Sequence, residues 1–244
     1  NFRTTFQVIP GEVTSVVLPP GAQTDRYDTV LARAVHVRAD ADVAVYGLSR
    51  IQYTTDAFLA LPVDTLADEY RTIAYQGGNG AQLGVVATEN NTVVTVTPPP
   101  GTSSGDQPVH VSLDVGDVYQ IRSSSGDLSG VMVTSTRPVA VFGGNECATI
   151  PENVPACDHI VEQLPPVQAW GRQFVTMPLA TRTRGDTFKV VAAEDDTVVT
   201  VNGVAAATLA AGAVHEQLID GPASIAASAP VLLAQFSNGS SFDQ

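Results

Sequence analysis

An internal repeat is the feature that most constrains how this chain folds. Residues 85–96 read VVATENNTVVTV and residues 190–201 read VVAAEDDTVVTV, at an offset of 105 positions. A second element, an apolar residue followed by x-x-Gly-x-Val, begins at Val8, Leu113 and Leu209. Such repetition indicates similar supersecondary units, about 100 residues long, that bury their apolar faces partly against one another.

The unit boundaries follow from a third recurring element, a strand pattern followed by an aspartate. The strand patterns are residues 42–46, 138–142 and 230–234, and the aspartates are Asp56, Asp158 and Asp243. We therefore expect the C-terminal part of a first unit over residues 1–55, a second unit over residues 56–157 and a third over residues 158–244. The first unit is expected to be truncated, because nothing upstream of Val8 matches residues 85–96.

Short runs of β-branched and aromatic residues, bounded by turn-forming residues, predict strands along most of the chain. Examples are residues 13–18, 43–46, 93–96, 131–134 and 198–201. Asn202-Gly203 predicts a two-residue hairpin turn, because both residues tolerate a positive φ. Sixteen Pro and 20 Gly leave no room for long helices. The predicted fold class is all-β, a pseudo-symmetric tandem of antiparallel β-sandwich-like repeats.

Charge and hydropathy exclude two classes of partner. Twelve Lys and Arg against 25 Asp and Glu give a net charge of −13, and the basic residues do not cluster. Phosphate backbones require clustered Lys and Arg, so the sequence argues against nucleic-acid binding. No apolar run approaches the roughly 20 residues of a membrane helix, so membrane insertion is not expected.

Cys147 and Cys157 stand at the two ends of a Pro-containing insertion between the second and third units. This arrangement favours a disulfide that closes a short loop, which persists only in an oxidising compartment. The alternative is a zinc site that adds Asp158 and His159. Zinc sites favour cysteines two to four residues apart, and the spacing here is wider.

No catalytic, cofactor or metal residues are assigned from the sequence. Residues 101–105 fit the G-x-S-x-G nucleophile pattern, but that motif requires a following helix, and here a strand pattern follows. Residues 89–91 and 194–196 carry oxygen ligands of the kind that calcium uses, although such residues between two strands are also ordinary turn formers. No cofactor is therefore expected, and calcium at these turns is the alternative. Asp56, Asp158 and His159 are expected to fix the junctions between units by hydrogen bonds to the backbone.

A set of segments spread over nearly the whole chain points to a known family. The segments are residues 55–62, 86–92, 138–144, 157–159, 162–167, 170–171 and 230–237. Together they resemble the IgGFc-binding protein N-terminal domain family, and the stretch from Cys157 to Trp170 is the most specific part. We group Trp170 with the junction residues. The resemblance implies an extracellular, non-catalytic binding or adhesive role, without identifying IgG as the ligand.

The leading hypothesis is an extracellular binding or adhesion module of a larger cell-surface or secreted protein. Its partners would be a protein, a glycan or further copies of itself. One alternative is a carbohydrate-active hydrolase on a β scaffold, which would require two facing carboxylates. Another is a purely structural spacer. The predicted contact loops are residues 76–80, 98–108 and 147–157, because loops on a rigid scaffold commonly carry recognition.

Overall fold

The computed structural model describes residues 2–98, 102–124 and 126–243. Within these ranges the chain forms strands and three 3-10 turns, and it contains no α-helix. The turns are Pro20–Ala22, Val63–Thr65 and Val167–Ala169. The strands are β1 (Tyr46–Ile51), β2 (Thr54–Leu59), β3 (Ala67–Arg71), β4 (Ala81–Ala87), β5 (Thr92–Val96), β6 (Val109–Leu113), β7 (Val118–Arg122), β8 (Met132–Ala148), β9 (Asp158–Leu164), β10 (Gly171–Thr176), β11 (Asp186–Ala192), β12 (Thr197–Val201), β13 (Val204–Leu209), β14 (Val214–Ile219) and β15 (Ala223–Phe236).

A seven-stranded antiparallel sheet forms around β8 in the order β6-β5-β8-β4-β7, with β3 and β9 also paired to β8. β8 is 17 residues long, so its two halves pair with different neighbours. The first half pairs with β3 and β5, and the second half pairs with β4 and β9. A sheet whose central strand changes partners in this way curls into a half-barrel.

A six-stranded antiparallel sheet repeats the arrangement around β15 in the order β13-β12-β15-β11-β14, with β10 paired to β15. β10 to β15 correspond in turn to β3 to β8. Asn91 and Asp196 occupy the same place in the turns before β5 and β12 and have nearly equal φ values of 56° and 55°. Asn202 and Gly203 form the predicted hairpin turn with positive φ. The all-β, sandwich-like repeat fold is therefore confirmed.

The unit boundaries at residues 56 and 158 remain a prediction. β2, which contains Asp56, pairs with β1 in a separate two-stranded sheet. β9, which begins at Asp158, pairs with β8 in the seven-stranded sheet. The strand that contains each of these aspartates thus hydrogen-bonds backwards to the strand that precedes it in the chain.

The two sheets differ in how many of their faces are buried. β4 alternates between buried and partly exposed positions, because only its inner face packs into the first core. β11 is buried at every position. Phe188 and Val190 pack into the core of the six-stranded sheet, whereas Val191 belongs to the core of the seven-stranded sheet. The outer face of the six-stranded sheet therefore packs directly on its neighbour.

The strands predicted at residues 13–18 and 43–45 are not formed, and these predictions were wrong. Val13 and Val17 are 94% and 87% exposed. By the repeat pattern these stretches correspond to β7 and to residues 139–141 of β8, both of which pair with β4. Among the described residues, neither stretch is paired with a strand equivalent to β4. A strand forms only where a second strand takes up its backbone hydrogen bonds, however strong its local pattern.

Two glycines on neighbouring strands give a matched test of this packing. A Cβ added at Gly143 in β8 would overlap the carbonyl oxygen of Ile73, which belongs to a buried backbone segment. A Cβ added at Gly84 in β4 would meet nothing closer than the Phe142 Cβ at 3.9 Å. We expect Gly143→Ala to lower the free energy of unfolding by about 1–3 kcal/mol and Gly84→Ala to leave it nearly unchanged, as measured by chemical denaturation. Equal stability of the two variants would contradict the close approach of the Ile73 carbonyl oxygen to Gly143.

Candidate functional site

The three predicted contact loops lie at one end of the seven-stranded sheet. Residues 76–80 precede β4, residues 147–157 follow β8, and the described residues 102–108 reach the end of β7. The Gly78 amide donates to the Cys147 carbonyl at 3.1 Å, and the Ser103 amide donates to the Arg122 carbonyl at 2.7 Å. Residues 99–101, which the predicted loop also includes, lie outside the described residues. We refer to the described residues of these three loops as the loop surface.

The disulfide between Cys147 and Cys157 closes the third of these loops, with 4.9 Å between the two Cα atoms. Inside the loop, Ile150 is buried against Tyr75 and against Phe236. The Gly239 amide donates to the Ile150 carbonyl at 2.6 Å, which ties the loop to the C-terminal end of the described chain. The loop therefore contacts both curled sheets and is held in one place on the loop surface.

A groove of about 290 Å³ adjoins the loop surface on the outer face of the seven-stranded sheet. It is bounded by Gln23 and Thr24, by Ser49 of β1, and by outward-facing residues of β4, β7, β8 and β9. These outward-facing residues are Gln82, Gly84, Val86, Val118, Gln120, Phe142, Gly144, Glu146, His159 and Val161. The lining combines amide side chains, such as Gln82 and Gln120, with apolar ones, such as Phe142. It therefore offers both hydrogen bonds and an apolar surface to a ligand.

A chain of hydrogen bonds runs across this groove toward the loop surface. Gln120 Nε2 donates to Gln82 Oε1 at 3.2 Å, and Gln82 Nε2 donates to Tyr27 Oη at 2.8 Å. The Tyr27 hydroxyl donates to Glu146 Oε1 at 3.3 Å, and Asn79 Nδ2 donates to Glu146 Oε2 at 3.3 Å. Burial, and then the nearby Glu146 carboxylate, raise the pKa of Tyr27, so its hydroxyl remains a donor at neutral pH.

The groove does not have the chemistry that a retaining or inverting glycosidase uses. Such an enzyme requires two facing carboxylates, and Glu146 is the one carboxylate in the lining that the structure describes. The nucleophile-like segment forms a turn, in which Ser103 Oγ accepts the Arg122 amide at 3.0 Å. Gly101, the first residue of that pattern, lies outside the described residues. In the described part of the chain no cluster of three His, Cys, Asp or Glu residues could hold a metal ion.

Three of the four predicted junction residues lie together where the β1–β2 hairpin meets β9. Asp56 Oδ2 accepts the Val161 amide at 2.7 Å. The Thr54 hydroxyl donates to Asp158 and accepts the His159 amide at 2.7 Å. The hairpin is thus fastened to β9 by side chains, without a continuous backbone ladder.

The remaining predicted positions lie elsewhere. Trp170 donates from Nε1 to the Pro165 carbonyl at 3.2 Å and packs against the first core. Asp243 forms an ion pair with Arg182 at 2.7 Å. The structure therefore does not place Trp170 with the other junction residues, and a joint structural role for the four is still a prediction.

The two acidic turns use their oxygen atoms in the same way in both units. Asn90 Oδ1 accepts the Val115 amide at 3.1 Å, and Asp195 Oδ1 accepts the Ala211 amide at 2.9 Å. These bonds tie the turns before β5 and β12 to the loops before β7 and β14. The geometry is that of a turn satisfied by its own backbone. Calcium binding at these turns is still a prediction.

Sequence reasoning missed a buried cation between the two sheets. Lys189 of β11 is 3% exposed, and its Nζ lies 2.7 Å from Asp127 Oδ2 and 3.7 Å from Glu216 Oε2. The same nitrogen donates to the Ala74 carbonyl at 3.2 Å and lies 3.9 Å from the centre of the Tyr75 ring. The available signal was a lysine inside the apolar run of residues 188–192, at the position where the second unit has glycine.

Tyr75 links the aromatic and acidic parts of this cluster. Its hydroxyl donates to Glu216 Oε1 at 2.7 Å, and its ring packs edge-on against Phe236 with 5.3 Å between centroids. Burial raises the pKa of Tyr75 strongly, and the hydrogen bond to Glu216 raises it further. The tyrosine is therefore a permanent donor that orients the Glu216 carboxylate.

With this geometry established, comparison with known proteins gives the family. A family model described as IgGFc binding protein matches residues 56–244. The chain belongs to the IgGFc-binding protein family. The human protein named IgGFc-binding protein is 32% identical over 205 residues. The match covers 80% of this chain and 4% of that relative, so the chain spans a small part of the length of the protein it resembles.

Two further findings bear on this identification. No solved structure matches the chain. Among the described residues, no helix has the length and hydropathy needed to cross a bilayer.

Removing the disulfide tests its contribution to the loop surface. In the double variant Cys147→Ser/Cys157→Ser we expect a loss of about 2–3 kcal/mol in the free energy of unfolding, because the open chain regains loop entropy. Chemical denaturation measures the loss, and the unsubstituted protein under reducing conditions should show a similar one. A loss below about 0.5 kcal/mol would mean that the loop is held by Ile150 packing alone.

Glu162 gives a pH-dependent test at the joint of β2 and β9. Burial, and then repulsion from Asp56, raise the pKa of Glu162 in the folded protein. The ionised form is therefore disfavoured by folding, and this penalty grows as pH rises above the unfolded value of about 4.3. We expect Glu162→Gln to increase stability at neutral pH by about 0.5 kcal/mol or less, since the residue is partly exposed, and to have no effect below about pH 4.

The control for this experiment is Glu194→Gln at an exposed turn, which removes the same charge away from Asp56. Thermal unfolding from acidic to neutral pH measures both variants. A stabilisation by Glu162→Gln that is equally large in acid would show that the raised pKa is not its cause.

Proposed function

We propose that the chain is an extracellular, non-catalytic binding module of a larger secreted or cell-surface protein, and that it engages a protein ligand through the loop surface. Family membership supports this proposal, since the matching family and the human relative are both named as binding proteins. The disulfide also supports it, because such bonds persist in oxidising compartments.

The observation that carries the proposal is the convergence of three loops at one end of a rigid sheet. Backbone hydrogen bonds join residues 76–80 to Cys147 and residues 102–105 to the end of β7. The disulfide and the buried Ile150 fix the third loop. Loops already ordered before binding lose little conformational entropy on association, which favours affinity.

The composition of the loop surface indicates the kind of partner. Its described residues include the exposed carboxylates Asp106 and Glu152 together with the amide Asn79, and they include no Lys or Arg. The whole chain carries a net charge of −13. A ligand face with Lys or Arg side chains and hydrogen-bond donors would complement this surface, and its association would slow as salt increases. The name of the human relative makes the Fc region of IgG the first ligand to test.

Self-association is a second candidate function, and a different observation favours it. The extended stretch at residues 13–18 pairs with no strand in the described part of the chain, and Val13 and Val17 are almost fully exposed. Exposed apolar segments with unpaired backbone groups are the usual sites of pairing between chains. Sedimentation over a range of concentrations tests this candidate, and a monomer at every concentration would exclude it.

Binding to immobilised human IgG Fc tests the leading proposal. We expect Glu152→Lys to weaken binding at least tenfold, equivalent to about 1.4 kcal/mol, because it places a positive charge on the acidic loop surface. The matched control is Glu194→Lys, which makes the same charge change at a turn of the other sheet and is expected to bind like the unsubstituted chain. Equal weakening by both variants would show that net charge, and not the loop surface, controls binding. No binding of Fc by the unsubstituted chain would exclude Fc as the ligand.

A further inference from the structure

The buried cluster around Lys189 joins the two curled sheets. Lys189 lies in β11 of the six-stranded sheet, and Asp127 lies in the connection between β7 and β8 of the seven-stranded sheet. The two side chains are 3% and 26% exposed, and 2.7 Å separates Lys189 Nζ from Asp127 Oδ2. The amine nitrogen is therefore in hydrogen-bond contact with the carboxyl group of Asp127.

We propose that Lys189 and Asp127 become joined by an intramolecular amide bond, with Glu216 transferring the proton. This bond is a covalent modification site that involves no residue of the loop surface and does not depend on ligand binding. Three features of the cluster support it: the enclosed lysine, the hydrogen-bond donors on Asp127, and the position of Glu216.

The cluster holds the enclosed Lys189 side chain in direct contact with Asp127. Transfer of one proton within the ion pair converts the ammonium and carboxylate into an amine and a carboxylic acid. The centre of the Tyr75 ring lies 3.9 Å from Nζ and covers one side of the amine. Phe236, with its ring centre at 5.9 Å from Nζ, closes the same side of the cluster.

Donors from Ser129 are directed at the other oxygen of Asp127. The Ser129 amide lies 3.1 Å from Asp127 Oδ1, and the Ser129 hydroxyl lies 2.9 Å from it. When the amine attacks the carboxyl carbon, negative charge develops on Oδ1, where these donors stabilise it. This is the arrangement of an oxyanion hole.

Glu216 is positioned to transfer a proton from the Lys189 nitrogen to the departing oxygen of Asp127. Its Oε2 is 3.7 Å from Lys189 Nζ, and its Oε1 is held by the Tyr75 hydroxyl at 2.7 Å. Glu216 accepts a proton from the attacking nitrogen and delivers it to the departing Oδ2 hydroxyl of Asp127. A carboxylate oriented in this way acts as a general base and then as a general acid.

The condensation of Lys189 with Asp127 requires no oxidant and no further reactant. The Lys189 Nζ to Asp127 Cγ bond forms, and the Asp127 Cγ to Oδ2 bond breaks. One amine hydrogen leaves with the Oδ2 hydroxyl as a water molecule, and Oδ1 becomes the amide oxygen. Holding both reactants in contact supplies the proximity that makes such a condensation feasible within a folded protein.

The mass of the intact protein tests the proposal directly. After reduction of the disulfide and full denaturation, the unsubstituted chain is expected to be lighter than its sequence mass by one water molecule. Protease digestion should yield one branched peptide that contains both Asp127 and Lys189. The full sequence mass, or a water loss located at any other pair of residues, would overturn the proposal.

Two variants distinguish the amide bond from a simple ion pair. Glu216→Gln keeps the shape and an acceptor for Tyr75 but cannot move the proton, so we expect at least tenfold slower loss of water in time-resolved mass spectra. Lys189→Arg retains a positive charge and is expected to keep the full sequence mass. The matched control Glu194→Gln is expected to lose water like the unsubstituted chain. Water loss by Glu216→Gln at the unsubstituted rate would overturn the role of Glu216.

Discussion

The two long strands β8 and β15 impose the constraint on which the rest of the structure depends. A strand of five residues has one neighbour on each side, whereas β8 and β15 have different neighbours along their two halves. The sheet around each long strand must therefore curl, because strands that pair with its first and second halves run in different directions. Each curled sheet encloses its own core on the inner face and leaves an outer face for other contacts.

The outer face is covered by the neighbouring unit in one sheet and lines a groove in the other. In the six-stranded sheet it carries Lys189 and Phe236 and is covered by Tyr75 and Ile150 of the neighbouring unit. In the seven-stranded sheet Gly84 stands where the other unit has Lys189, and the face forms the floor of the groove. A packing surface in one unit is thus a recess in the other, beside the loops that we assign to recognition.

The sequence contained enough to predict the repeated sheets but not their interface. Residues 85–96 and 190–201 were recognisable because strand pairs and Asn or Asp turns are local patterns. The disulfide could be predicted because its cysteines are only 10 positions apart. Residues 13–18 were predicted wrongly, since a local pattern does not reveal whether a partner strand exists. Lys189 was missed because Asp127 lies 62 positions away and is brought near only by the packing of the two sheets.

The burial of β11 on both faces also sets limits on how this family of units can diverge. Alternate positions of β4 point into the groove, so changes of size or polarity there leave the core intact. The matching positions of β11 are buried against another sheet. Loss of a methylene group or an unpaired polar atom there lowers the free energy of unfolding. Relatives should therefore vary at every second residue of β4 and change little anywhere along β11. Free variation along a strand equivalent to β11 would identify a unit with no neighbour on that side.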